Sequence, residues 1–247
     1  MNFEIGGKRA LVCGASRGLG FACASALAKE GVAVTLVARH HDALTKAAGR
    51  IESSDGVAPH YVAADISTEA GRNAALAGCP APDIVVTNAG GPPSGDFRAL
   101  SEADWTAALE ANFLSAVELI RRTVDGMIER GFGRIVNITS LTVRSPVPQL
   151  DLSNATRLAL TGYVAGVARQ VAPHNVTINN LLPGTIATER IRELGATADK
   201  LIAKVPMGRA GQPEEFGAAC AFLCSAQAAY ITAQNILVDG GLCSFTV

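Results

Sequence analysis

The sequence predicts an α/β fold of Rossmann type, a doubly wound parallel sheet of about seven strands with helices on both faces, in one domain spanning residues 1–247. Three observations carry that reading. Short apolar runs alternate with longer Ala-rich stretches, as right-handed crossovers and a sheet covered on both faces require. Hydrophobic residues make up 49% of the 247-residue chain and charged ones 17%, enough apolar surface for a sizeable core. No Pro/Gly/Ser-rich linker and no internal repeat divides the pattern.

The elements follow in order. Residues 9–13 form an apolar run that ends in a glycine cluster. An Ala-rich helix over 19–30 and a buried strand over 32–38 come next. A helix over 43–52, a strand over 60–63 and a short helix after Asp65 lead to a strand over 83–87. Two separate helices are predicted over 102–112 and 116–130, then strand 134–138, helix 152–172, strand 176–181, helix 213–223 and strand 235–238. The stretches 90–101 and 183–204 show neither periodicity and are expected as irregular loops. A loop as long as the second is usually functional, often a lid. Its Arg190, Arg192, Lys200 and Lys204 could meet an acidic carrier or a thioester phosphate, but read first as a solvated face.

Charge and cysteine usage exclude several classes. With 21 basic and 22 acidic side chains the formal net charge is -1, which argues against a nucleic-acid partner or a basic membrane patch. No apolar run reaches the roughly 18 residues of a membrane span. The first residues lack a charged segment ahead of an apolar one, so no signal peptide and a cytoplasmic location are expected. Cys13, Cys23, Cys79, Cys220, Cys224 and Cys243 contain no C-x-x-C pair, and with His40, His41, His60 and His174 they show no metal-ligand spacing. Buried, reduced thiols and no metal are the expectation, with Cys220 and Cys224 facing one core. A mean hydropathy of +0.26 is high for a monomer and implies surface buried between subunits.

The first chemical signal is GASRGLG, with Gly14, Gly18 and Gly20 between a strand and a helix. Residues without a Cβ permit a tight turn and close approach of a pyrophosphate, while the helix start offers free N–H groups. Ser16, Arg17 and Leu19 lie in the same loop and are expected to contact the cofactor. At the end of the second strand, where an NAD site places a carboxylate for the ribose 2′-hydroxyl, this chain has Ala38 and Arg39. A guanidinium there can pair with a 2′-phosphate, assisted by Arg17, so NADP(H) is the expected cofactor.

Further motifs extend along nearly the whole chain: Asp65 and Ile66 after the third strand, VVTNAGG with Asn88, Ala89 and Gly90, Asn112 in a helix, GRIVNITS with Ser140, LLPGTIATE with Pro183, Gly184, Ile186 and Thr188, and the tail from Gly208 to Gly241. On these residues the sequence resembles the short-chain dehydrogenase/reductase family, near its 3-oxoacyl-acyl carrier protein reductases. The resemblance implies a cofactor at the carboxyl ends of seven strands. It implies adenine contact at Asp65, a substrate-binding serine at Ser140, and a helix bend with a water relay at Asn112. It further implies homotetramers or homodimers built on the two long helices.

One position pair departs from the family. Its Tyr-x-x-x-Lys pair falls on Ser153 and Arg157 within LDLSNATRLALTGY. A phenol has a pKa near 10 and a neighbouring ammonium lowers it, whereas a serine hydroxyl is a much weaker and shorter acid. Four-residue spacing places Ser153 and Arg157 on one helix face, where both can point at the cofactor. Arg157 keeps its charge and can stabilise an oxyanion or hold the nicotinamide ribose. Tyr163 lies too far along the helix to replace the missing phenol, and Asp151 reads as a helix-start residue. Three readings stay open: a reductase of a small-molecule carbonyl substrate with an atypical site built on Ser140, Asn112, Ser153 and Arg157, a catalytically impaired NADPH-binding sensor or structural subunit, and a different reaction on the same scaffold, such as an isomerisation or dehydration that uses no tyrosine acid.

Overall fold

The computed structural model describes residues 2–244. Its sheet has seven parallel strands, β1 (Arg9–Cys13), β2 (Ala33–Ala38), β3 (His60–Ala63), β4 (Ile84–Thr87), β5 (Gly133–Ile138), β6 (Val176–Pro183) and β7 (Asn235–Val238), in the order β3-β2-β1-β4-β5-β6-β7. Alternate residues of a strand face opposite sides. Accordingly Ala10 and Val12 of β1 enter one core cluster and Leu11 and Cys13 enter the other. Helices α1 (Gly18–Lys29) and α2 (His41–Asp55) cover the first face together with the late helix Pro213–Cys224, through Leu27, Leu44, Ile51 and Phe216. Helix α3 (Glu69–Gly78) and two longer helices, Ser115–Glu129 and Asp151–Val171, cover the second through Ala75, Leu119, Ile120, Met127, Leu160 and Val164. The expected seven-stranded doubly wound sheet is therefore present. Cys220 and Cys224 are buried in the first cluster, as their spacing suggested, together with Cys23, while Cys243 is only half-buried. Among the described residues no helix is long and apolar enough to cross a membrane.

Two expectations need correction. The stretches 102–112 and 116–130 form one continuous helical run: α4 (Glu102–Leu109), a π-helical turn (Glu110–Leu114) and α5 (Ser115–Glu129). Ser101 starts the run with a capping box. Its Oγ accepts the Asp104 N–H at 3.2 Å, and the Asp104 carboxylate accepts the Ser101 N–H at 2.9 Å. The π turn inserts a residue without breaking the helix, and hydrophobic periodicity registers such a slip only as a lost period. The second correction concerns 183–204. Strand β6 runs on to Pro183, and the loop beyond it holds two short helices, α7 (Glu189–Arg192) and α8 (Ala196–Ile202), after α6 (Asp151–Val171) and before α9 (Pro213–Cys224). Helices this short carry too few turns for an amphipathic period to show in sequence.

A buried polar row pins the register of the last four strands. Thr87 Oγ1 donates to Asn137 Oδ1 at 2.7 Å, Asn137 Nδ2 to Asn180 Oδ1 at 3.0 Å, and Asn180 Nδ2 to Asn235 Oδ1 at 2.8 Å. These residues are direct cross-strand partners in β4, β5, β6 and β7. A slip of one residue would bury these amides without partners, which is costly, so the row fixes where β5 delivers the residues beyond its end.

Candidate active site

Strand order reverses between β1 and β4, and the carboxyl ends of the strands open there onto one crevice. The loop after β1 forms its first wall. Gly14 has φ +60°, and a Cβ on it would stand 2.5 Å from Asn88 Nδ2. A Cβ on Gly20 would overlap the carbonyl oxygen of Gly14. Gly20 is therefore demanded by close backbone approach, and Gly14 by its left-handed conformation and its contact with the Asn88 side chain. Arg17 precedes α1 with extended backbone and no side-chain cap, which leaves the first N–H groups of α1 free toward the crevice. The Ala15 N–H donates to Val37 O at 3.1 Å and ties the loop to β2, with Ser16 and Leu19 half-buried beside it.

Beyond β2, Arg39 is exposed, and its charge reaches Asp65. Burial works against the Asp65 carboxylate, but the hydroxyl and N–H of Ser67 and the charge of Arg39 outweigh it and hold the carboxyl below the usual range. The two Ser67 bonds measure 2.8 Å and 3.0 Å. Ile66 next to it packs into the second core cluster. Arg17, expected to assist Arg39, instead pairs with Glu189 of α7 at 2.7 Å, both side chains being exposed.

The opposite wall comes from the ends of β4 and β6. Asn88 and Ala89 are half-buried and Gly90 is exposed. After Pro183, the Gly184 N–H donates to Val238 O at 3.0 Å, and a Cβ on Gly184 would lie 2.5 Å from Asp239 Cβ. Ile186 is buried and bridges to Gly211, and Thr188 reaches the glycine loop, its methyl 3.7 Å from where a Gly18 Cβ would stand. Residues 150 positions apart and more thus share one crevice.

The reacting end lies beyond β5. Ser140 is half-buried, and its Oγ accepts the Thr142 N–H at 3.2 Å, which leaves the hydroxyl proton free to donate. Ser153 and Arg157 lie on one face of α6, each 8% exposed, and Arg157 Nε donates to Ser153 Oγ at 3.2 Å. Arg157 is also anchored to the sheet. Its Nη1 donates to Ile138 O at 3.0 Å and Thr139 O at 2.7 Å, so the guanidinium is clamped against the end of β5. Burial, and then the like charge of Arg190, push Arg157 down to about 10.

Asn112 sits in the π turn at 5% exposure. Its Nδ2 donates to Ala108 O at 3.3 Å, while its buried Oδ1 has no partner among the described residues. A polar cavity of about 10 Å³ lined by Asn88, Asn112, Ser115 and Arg157 adjoins it, the size of a single water site. Asp151 opens α6 and is half-buried. The three tyrosines lie elsewhere: Tyr163 packs edge-on against Phe113 with ring centroids 6.3 Å apart, Tyr61 packs against His41, and Tyr230 is fully exposed.

A family model described as Enoyl-(Acyl carrier protein) reductase matches residues 14–243. The chain belongs to the short-chain dehydrogenase/reductase family. It is 34% identical over 245 residues to the 3-oxoacyl-[acyl-carrier-protein] reductase FabG of Vibrio cholerae, covering 98% of this chain and 99% of that protein. It is 33% identical over 242 residues to the acetoacetyl-CoA reductase of Allochromatium vinosum, covering 94% and 97%. The crystal structure of L-sorbose reductase from Gluconobacter frateurii, complexed with NADPH and L-sorbose, superposes with a TM-score of 0.93 at 31% identity over 99% of this chain and 100% of that one.

For this short-chain dehydrogenase/reductase the residues present fit a dinucleotide. The close approach of Gly14 to Asn88 and of Gly20 to Gly14 shapes a cradle that a Cβ would fill, and the uncapped start of α1 faces it. Glu189 of α7, the reach of Arg190 over Gly91, and the amide row across β4 to β7 were missed from sequence. Sequence shows Asn137, Asn180 and Asn235 in predicted strands but not their register, and nothing in it tells which way an arginine on a short helix reaches.

Proposed function

We propose that this protein is an NADP(H)-dependent oxidoreductase that reduces a ketone to a secondary alcohol, with 3-oxoacyl thioesters among the substrates to test, at an atypical site. The observation that carries this reading is the retained polar end of the crevice: a half-buried Ser140 with a free proton, the orphaned Asn112 Oδ1, and the Ser153–Arg157 pair. The crevice walls would hold the cofactor through Gly14, Ser16, Gly18, Leu19 and Gly20, through Asn88, Ala89 and Gly90, and through Pro183, Gly184, Ile186 and Thr188. Asp65 and Ile66 would flank the adenine. Arg39, with Arg17 once it exchanges Glu189 for phosphate, would take the 2′-phosphate.

The chemistry a bound NADPH supplies is a hydride for the carbonyl carbon. Ser140 polarises the carbonyl by donating its hydroxyl proton as a hydrogen bond. Ser153, its oxygen occupied by the Arg157 Nε–H, has its own proton free as well, and the adjoining cation makes the hydroxyl a better donor. The proton that completes the alcohol comes from solvent through these hydroxyls. A homotetramer or homodimer in the cytoplasm is the accompanying assembly. Exposed Leu109, Leu114 and Leu158 on α4, the π turn and α6 support it as surface suited to a partner subunit.

The first test is NADPH consumption by the purified protein over a panel of ketones that includes a 3-oxoacyl thioester. Turnover is expected, with Ser140→Ala lowering it about 100-fold or more. A protein that binds NADPH and consumes none would favour the second reading, a sensor or structural subunit. The clamped Arg157 Nη1 supports that reading, because the β5 carbonyls occupy one end of the group that stands in for the family lysine. Cofactor choice has its own test. Arg39→Asp is expected to weaken NADPH about 10- to 100-fold in a fluorescence titration, through loss of a charge-assisted hydrogen bond, and to leave NADH bound as well or better. Unchanged NADPH affinity would remove Arg39 from the 2′-phosphate site.

A further inference from the structure

Successive residues of α7 reach in different directions. Glu189 turns to Arg17 on the glycine loop, and Arg190 lays its guanidinium across the crevice over Gly91, beyond the end of β4. A Cβ at Gly91 would overlap Arg190 Nη1 and stand 3.1 Å from both Cζ and Nη2, so the glycine is what makes room for the cation. Among the described residues no carboxylate lies within ion-pair distance of Arg190, although the chain as a whole carries a net charge of -1. The guanidinium at the mouth of the crevice thus has no internal counter-charge, whereas the buried Arg157, which feels its like charge, is held by the carbonyls of Ile138 and Thr139.

We propose that the ketone substrate carries a carboxylate, which Arg190 binds over Gly91. This rests on the reductase reading above. A planar guanidinium fork matches an oxyanion through two parallel hydrogen bonds, and a carboxylate there supplies the counter-charge that Arg190 lacks. An oxyanion could equally come from a cofactor phosphate. The substrate is favoured because the glycine loop, the start of α1 and Arg39 already provide for phosphates, while Arg190 lies toward Gly91 on the other wall.

Pyruvate, acetoacetate and levulinate, each paired with its methyl ester, set the carboxylate at three distances from the same type of ketone. NADPH oxidation and calorimetric binding to the NADP⁺-loaded protein are both read. At least one acid should be preferred over its ester by about 10- to 100-fold in kcat/KM and in affinity, the effect of one charged hydrogen-bonded contact. Arg190→Gln should collapse that preference toward one through KM, Arg190→Lys should restore part of it, and NADPH affinity should hold in both. Gly91→Ala, which pushes the guanidinium aside with Arg190 intact, should reduce the preference too. Acid binding without turnover would sink the reductase reading and keep the carboxylate site. Esters bound as well as acids by the unaltered protein, or an Arg190→Gln variant that loses NADPH and keeps its acid preference, would overturn the proposal.

Discussion

Replacing Ser153 by Tyr and Arg157 by Lys together is expected to raise NADPH-dependent ketone reduction by about 10²- to 10⁴-fold, the contribution of a positioned general acid. A phenol near pKa 10, lowered by an adjacent ammonium, protonates a developing alkoxide far better than a serine hydroxyl. It also carries its oxygen well past the reach of Ser153 Oγ. The single changes should not add. Ser153→Tyr alone leaves the guanidinium clamped on Ile138 O and Thr139 O, so no cation is delivered to the phenol in the family's manner. Arg157→Lys alone strips hydrogen bonds from both buried carbonyls and from Ser153 Oγ, at a cost of about 2–3 kcal/mol in stability, and supplies no acid. A double-mutant cycle in kcat/KM, with thermal melts on every variant, measures the coupling. A folded double variant with unchanged activity would mean that this chain's reaction needs no phenol.

The second large effect concerns the glycine loop. Gly14→Val and Gly20→Ala should each abolish NADPH binding at accessible concentrations, an affinity loss of about 100-fold or more, and destabilise the fold by about 2–4 kcal/mol. At Gly14 the new side chain meets Asn88 Nδ2 at 2.5 Å and must adopt φ +60°. At Gly20 the new Cβ meets backbone, the carbonyl of Gly14, which cannot turn aside without breaking the loop. Gly18→Ala is the control. It shares a positive φ of +59°, but its Cβ has only the Thr188 methyl at 3.7 Å nearby. Only about 1–2 kcal/mol of backbone strain is expected there, with binding weakened far less. A Gly18→Ala loss as large as that of Gly14→Val would mean that the left-handed conformation the two share, not close approach, governs at Gly14.

Much of the crevice was legible before any coordinates. Gly20 declares itself because backbone that must approach backbone excludes every other residue type, and Gly14 because its left-handed conformation favours glycine. The absence of a carboxylate at Arg39 is likewise a local fact about the end of one strand. The π turn at Asn112 was not legible, since one inserted residue inside an apolar run looks like the end of one helix and the start of another. The helices of 183–204 were hidden by their shortness. The Thr87–Asn137–Asn180–Asn235 row depended on strand register, which is set by pairing between segments far apart in the chain.

By itself the sequence determined the doubly wound topology and the glycine loop. Period, turn chemistry and motif spacing act over a few residues, and each such position admits few side chains. Only the tertiary structure decided that Arg157 turns back onto β5, that Arg17 pairs with Glu189, and that Arg190 lies over Gly91. A long, flexible cation finds its partner wherever the fold places carbonyls, carboxylates or open space within its reach, and those neighbours are assembled from distant parts of the chain.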